Sequence, residues 1–238
     1  MSKIILVGAS SGIGKDLAVE LSRRGHTLGL TARRVELLEA MRSELTPPVH
    51  IARMDAEQHE ETRNGLGALI EEMGGCDVLI YNAGIGESSG RWEKENQVLQ
   101  VNAVGFAALC NFIFRYWKEK KQPGHIVGIT SIAGVRGSRM AIGYSATKAF
   151  MSNYMEGLRN EAVKKNLPIA ITDIRPGFVE TPMTKGQKGM FWVSTSAKAA
   201  SQIADAIERK AKTAYITKRW RFAAWFMKNL PDFIWNKQ

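Results

Sequence analysis

Short, continuous apolar runs alternate along the chain with stretches whose apolar residues recur every three or four positions. Lys3–Gly8 (Lys-Ile-Ile-Leu-Val-Gly) is such a run and ends in glycine, as a parallel strand buried on both faces does. Residues 13–24 follow with helical spacing: Ile13, Leu17 and Leu21 share a face, Arg23 and Arg24 meet the negative end of the dipole, and Gly25 is a stop. Further strands are predicted over Thr27–Ala32, Val49–Met54, Asp77–Tyr81, Gly124–Thr130 and Ile169–Ile174, with a last short one over Ala214–Thr217. Helices are predicted over Val35–Leu45 (closed by Pro47 and Pro48), 57–73, about 92–118, Tyr144–Lys165 and 196–211, leaving a loop over about 176–194. This alternation implies an α/β fold, a doubly wound parallel sheet. No linker or repeat divides it, so residues 1–217 are expected to form one domain, followed by a helical aromatic and basic tail over 218–238.

Composition adds limits. A chain of 238 residues with 45% hydrophobic and 24% charged residues builds a sizeable core and is not disordered. Two cysteines, Cys76 and Cys110, supply no disulfide framework and are expected in the core, reduced. Lys3 leads straight into the first strand with no charged and apolar leader before it, so a cytoplasmic location is expected. The net charge of +10 invites nucleic acid, anionic membrane or phosphorylated ligands as partners. No helix-turn-helix, zinc-finger or RNA-recognition signature is present, so nucleic acid is not expected.

The turn Gly8-Ala9-Ser10-Ser11-Gly12-Ile13-Gly14 lies between the first strand and the first helix. Its glycines permit a tight turn and close backbone approach, so a pyrophosphate could rest on the helix N-terminus, the device of a Rossmann fold. The bland alternative is a glycine-rich turn that holds no ligand. At the end of the second strand, Thr31-Ala32-Arg33-Arg34 has arginines where an NAD-selective site carries a carboxylate. A guanidinium grips a 2′-phosphate that a carboxylate would repel, so Arg33, with Arg34 auxiliary, predicts NADP(H). The competing reading is two solvated arginines at a helix start. Asp55 either accepts from the adenine amino group or caps the next helix. Asn82-Ala83-Gly84 ends the fourth strand with small residues that let the backbone pass beneath the adenosine ribose.

Tyr144 and Lys148, four residues apart on a predicted helix, face one way. Reducing a carbonyl requires a proton on the developing alkoxide, and a phenol can give it. An unperturbed tyrosine titrates near ~10, and poising it near neutrality takes about 4 kcal/mol, part of which a neighbouring ammonium supplies. The pair alone proves little among five tyrosines. Ser131, at the end of the fifth strand, could donate to the substrate oxygen. Asn102 reads either as a buried amide that kinks its helix and holds a water behind Lys148 or as an ordinary helical asparagine.

In sum the chain resembles the short-chain dehydrogenases/reductases from Lys3 to about Ala214. The motifs are Gly8-x-x-x-Gly12-x-Gly14, Asn82-Ala83-Gly84, Asn102, Ser131, Tyr144-x-x-x-Lys148 and Pro176-Gly177-Phe178-Val179-Glu180-Thr181. The resemblance implies a catalytic tetrad of Asn102, Ser131, Tyr144 and Lys148, with Tyr144 as acid/base. It further implies that Lys148 bonds the nicotinamide ribose, that Val179 (by its backbone) and Thr181 hold the nicotinamide carboxamide, and that Pro176 and Gly177 also contact the cofactor. An NADPH-dependent reduction of an apolar or lipid-like ketone or aldehyde is the expectation; a non-catalytic NADP(H) sensor or scaffold of the same fold is the alternative.

The segment after Thr181 is where such proteins carry a mobile substrate lid. Met183, Met190, Phe191 and Trp192 there would line an apolar pocket or else pack on the protein itself. In the tail, Trp220, Phe222, Trp225, Phe226 and Met227 intermingle with Lys218, Arg219, Arg221 and Lys228 before Pro231, and Lys237 follows. The stretch is too short to span a bilayer. It would serve as an oligomer contact (dimer or tetramer), which is the preferred reading, or as a basic helix at a membrane interface.

Overall fold

The computed structural model describes residues 1–46, 48–86 and 90–236. Pro47, expected to close a helix, and Lys237, counted in the tail, lie outside them. Seven strands form one sheet: β1 (Lys3–Val7), β2 (Thr27–Ala32), β3 (Val49–Arg53), β4 (Val78–Tyr81), β5 (Gly124–Ile129), β6 (Ile169–Pro176) and β7 (Thr213–Ile216). All pair in parallel, in the order β3-β2-β1-β4-β5-β6-β7. The direction of winding reverses between β1 and β4, and a crevice opens at that switch point, beyond the strands' carboxyl ends.

The continuous apolar runs are explained by two cores. In β1, Ile4 and Leu6 point into one layer while Ile5 and Val7 point into the other. The first layer is closed by α1 (Gly12–Arg23), α2 (Val35–Met41) and α7 (Ser196–Glu208). The second is closed by α3 (His59–Glu72), α5 (Phe106–Glu119) and α6 (Ile142–Lys164), α5 being preceded by α4 (Trp92–Leu99). Cys76 and Cys110 are both buried and free, and burial pushes the Cys76 thiol up to about 12, which makes it inert.

Several boundaries differ from the pattern's prediction. Helix α2 stops at Met41 and a 3₁₀ turn, Arg42–Glu44, carries the chain on to buried Leu45. Strand β6 runs two residues further, to Pro176, because Arg175 and Pro176 pair with Tyr215 and Ile216. Helix α7 ends at Glu208, where Lys210 turns left-handed (φ 48°) and the Ala211 N–H returns to the Ala206 carbonyl. The long helix after β4 is not uniform: Gln100–Gly105 forms a π-helical turn between α4 and α5. Two carbonyls of that turn are met by side chains: Tyr81 donates its hydroxyl to Val101 O (2.5 Å), and His59 Nε2 lies 3.3 Å from Gln100 O.

Two short helices, α8 (Trp220–Asn229) and α9 (Asp232–Trp235), finish the chain. Trp220 and Ala224 are buried against Ile132, Val135, Phe178 and Tyr215, a third and smaller apolar cluster beside the sheet's edge.

Candidate active site

A cleft of about 340 Å³ runs along the carboxyl ends of the central strands. Its walls include Gly8, Ser10, Ser11, Gly12, Ile13, Arg33, Arg34, Asp55, Asn82, Ala83 and Gly84 at one end. Ser131, Tyr144, Lys148, Pro176, Gly177, Val179 and Thr181 stand toward the other. Nearly every residue singled out from the sequence thus meets in one space; Gly14 and Asn102 do not line it.

The glycine turn is shaped by close approach. Gly8 adopts φ 86°, and a Cβ on it would stand 2.6 Å from the Ala83 nitrogen. Gly14 lies behind the turn: a Cβ there would meet the Gly8 carbonyl oxygen at 2.1 Å, the same oxygen to which Asn82 Nδ2 donates (2.7 Å). Gly14 therefore acts through packing, and Asn82 ties the turn to β4. At the start of α1, Ser11 makes no side-chain cap hydrogen bond and the first turn holds no acid, so the helix terminus faces the cleft with nothing to compete with an anion. This fits a pyrophosphate.

At the far end Arg33 lies 3.4 Å from Glu57 Oε1, and Gln97 Nε2 donates to the same oxygen at 2.7 Å. Glu57 has no signature in the sequence. Arg34 precedes α2 and lines the cleft beside Arg33. Asp55 faces the cleft, and one carboxylate oxygen accepts from the Glu57 N–H at 3.2 Å. It thus closes the turn leading to α3 without being its N-cap, which is Gln58.

The chemical end is built from β4, β5 and α6. Ser131 follows β5 and caps the 3₁₀ turn Ile132–Val135, its Oγ accepting from the Ala133 N–H at 3.1 Å. Lys148 is buried; its Nζ donates to the Ile129 carbonyl (3.0 Å) and stands 5.6 Å from the centre of the Tyr144 ring. Burial lowers its pKa to about 8, against a smaller upward pull from Asp173. Tyr144 corrects an expectation: burial raises its phenol above the usual value, and a hydrogen bond from Ser131 only partly opposes this. Its ring is half-buried at the cleft wall, so water reaching the cleft moderates that rise. The net shift stays upward with Lys148 Nζ 5.6 Å from the ring centre, so desolvation outweighs what that cation supplies. A neutral phenol is the form that can donate a proton.

Asn102 is fully buried in the π turn. Its Nδ2 donates to Ile85 O (2.9 Å) and Thr147 Oγ1 (3.2 Å), and its Oδ1 accepts from the Ile85 N–H (2.9 Å). The helix departs from α geometry here, and the side chain itself clamps the exit of β4 to α6. A Cβ on Gly84 would lie 3.4 Å from both Asn102 Oδ1 and Lys148 Nζ, so that glycine keeps the space between them open.

Beyond β6, Val179 bridges to Ser194: the Glu180 N–H bonds Ser194 O (2.9 Å) and the Ser194 N–H bonds Phe178 O (3.0 Å). Val179's own N–H and carbonyl point the opposite way, and the Thr184 hydroxyl takes the carbonyl at 2.7 Å. Met183 lines the cleft, but Phe191 and Trp192 stack on Trp220 with ring centres 5.1 and 5.6 Å away. For those two the packing alternative holds. Past Tyr144 a smaller hollow of about 50 Å³ is lined by Val98, Met140 and Ile142, together with Glu95 and Arg139.

Sequence reasoning missed the residues that hold this site from outside it. Arg136 donates to the Met227 carbonyl at 3.1 Å, bonds the Leu230 carbonyl and Asp232, and stacks on Trp235, 4.9 Å to the ring centre. It thereby fastens α8 and α9 to the turn that follows Ser131. No local pattern announces such a long-range clasp.

Comparison with known proteins agrees with this geometry. The family model described as short chain dehydrogenase matches residues 2–190. An uncharacterized oxidoreductase of Myxococcus xanthus is 35% identical over 76% of this chain and 73% of its own length. Another from Mycobacterium tuberculosis is 30% identical over 90% of this chain and 87% of the relative. Farnesol dehydrogenase of Aedes aegypti is 32% identical over 74% of this chain and 77% of the relative. The chain therefore belongs to the short-chain dehydrogenase family of oxidoreductases, which bind nicotinamide cofactors.

Proposed function

We propose that the protein is an NADP(H)-dependent oxidoreductase that interconverts an apolar carbonyl compound and its alcohol, with Tyr144 as the proton donor and acceptor. The observation that carries this reading is the convergence of Tyr144, Ser131 and Lys148 on the cleft that leads back to the glycine turn and to Arg33. When bound, the cofactor would supply the hydride for the carbonyl carbon and be oxidised in doing so, the π pair passing to oxygen. The start of α1 would hold its pyrophosphate, Arg33 and Arg34 its 2′-phosphate, and Lys148 its nicotinamide ribose.

The protein's part is positional and acid–base. Ser131 fixes the substrate oxygen, and Tyr144, neutral in its surroundings, donates the proton that completes the O–H bond. The phenolate left behind is stabilised by the Lys148 ammonium, which with a pKa of about 8 can pass a proton back near neutrality. Asn102 holds β4 and α6 in register, and so keeps Lys148 in place.

An apolar substrate is supported by Met183 in the cleft wall and by Met140 and Ile142 beyond Tyr144, all three exposed. The relative named for farnesol points the same way. The test is NADPH oxidation over a panel of ketones and aldehydes of rising chain length, with the parent and Tyr144→Phe. Turnover that falls by about 10²–10⁴ in the variant, with NADPH binding retained, is expected. Equal turnover removes Tyr144 from the mechanism, and tight NADPH binding without turnover on any substrate indicates a nucleotide-binding role instead.

A further inference from the structure

Helix α8 is apolar on two sides, and the fold uses only one. Trp220, Ala223, Ala224 and Met227 pack inward. Phe222, Trp225 and Phe226 recur at the complementary three- and four-residue spacing and are 75%, 69% and 59% exposed. Past Pro231, Phe233 in α9 is also exposed. An aromatic patch of this kind on a protein surface marks a contact.

The charge around it identifies what it contacts. Arg221 and Lys228, seven residues apart, stand on one flank of the helix, and Lys218 and Arg219 precede it; all four are exposed or half-buried. Among the described residues from Thr217 onward the one acid is Asp232, and Arg136 holds it. A symmetric pairing of this tail with its own copy would bring Arg221 and Lys228 against cations with no acid of the tail to answer them. An anionic surface answers them all.

We propose that α8 and α9 dock on an anionic lipid bilayer, with Phe222, Trp225 and Phe226 at the acyl boundary and the surrounding cations among the headgroups. The attachment is peripheral, since ten residues of helix do not span a bilayer. Trp92–Glu119, the one stretch among the described residues long and apolar enough to span by length and composition, belongs to the core, with half of its apolar window packed inside. Docking would bring the substrate side of the cleft close to the membrane, because inward-facing Trp220 stacks on Phe178, Phe191 and Trp192. Arg219 lies over the Trp192 ring at 5.3 Å, which links the cationic end of α8 to the same loop. An apolar substrate dissolved in lipid would then reach the site without crossing water.

Sedimentation with vesicles tests this, using full-length protein and vesicles of roughly seven parts phosphatidylcholine to three of phosphatidylglycerol. Binding is expected to fall at least about tenfold on pure phosphatidylcholine, or in about 0.5 M salt. It should fall as far in Trp225→Ser/Phe226→Ser and in Arg221→Glu/Lys228→Glu, both of which change only exposed positions; thermal melts matching the parent show that they are folded. Failure of the parent to sediment with anionic vesicles overturns the proposal, as does undiminished binding by both variants. A dimer in light scattering that Trp225→Ser/Phe226→Ser converts to monomer, with no vesicle binding by the parent, makes the patch a subunit interface and overturns it too. The readout is binding alone, so its failure leaves the reductase reading untouched, and failure of turnover leaves the docking untouched.

Discussion

Trp220 stands where a side chain on Gly177 would have to go: its Cε2 lies 1.9 Å from the position of a β-carbon on that glycine. The relationship joins the last helices to the loop that lines the cleft at the end occupied by Tyr144 and Lys148. Gly177→Ala must displace the indole or the loop, and overpacking of this kind costs about 1–3 kcal/mol. A lower melting temperature and a weaker rise of that temperature on adding NADPH are expected. A variant that melts with the parent and responds equally to NADPH would show that the indole yields at no cost.

If NADP(H) is the cofactor, the Arg33–Glu57 pair is expected to tune the preference for it. Arg33→Asp should move the NADPH/NADH affinity ratio toward NADH by at least about tenfold, since a carboxylate repels the 2′-phosphate. Glu57→Gln should act the other way. Loss of the acid 3.4 Å from the guanidinium releases Arg33 and removes a repulsion, tightening NADPH by about two- to fivefold, within the range of an exposed ion pair. Fluorescence titration of both nucleotides reads each effect.

Much of this was legible locally. The unbroken run Ile4–Val7 announced a two-faced strand, and Tyr144 with Lys148 at four-residue spacing announced one helical face. What escaped notice depends on residues distant in sequence. Glu57 reaches Arg33 only because β2 and β3 lie side by side, and Tyr81 meets Val101 only because a π turn presents that carbonyl. Arg136 finds its partners in the tail more than 90 residues later. The direction of Tyr144's pKa was misjudged because spacing shows the nearby cation and hides the desolvation that opposes it.

The pH profile of turnover should carry the signature of Lys148. The ammonium form supports the phenolate, and it is lost as pH rises through about 8. The rate of carbonyl reduction at saturating substrate is expected to decline above that value, by about tenfold per pH unit at the limit. Lys148→Arg, which stays charged, should carry the decline to higher pH. An unchanged profile would separate the lysine from proton transfer.

Stability in acid should depend on His125, which burial holds neutral with a pKa of about 4, its Nε2 2.8 Å from the Thr172 hydroxyl. The unfolded chain takes up this proton near 6.5, the folded one only near 4. Between those values the unfolded state binds more protons, and the fold loses up to about 3 kcal/mol as pH falls. Urea unfolding at pH 7 and at about pH 4.5 should show the loss in the parent and a smaller one in His125→Gln.

The π turn at Gln100–Gly105 also constrains what this stretch of chain can tolerate. An α-helix advances about 100° per residue, so adding one position beyond the extra residue that the π turn already absorbs would rotate everything that follows by that amount. Phe106, Leu109, Ile113 and Trp117 would swing away from the sheet. Substitutions can accumulate in this segment one at a time; a further insertion would have to be answered by the core and α6 together.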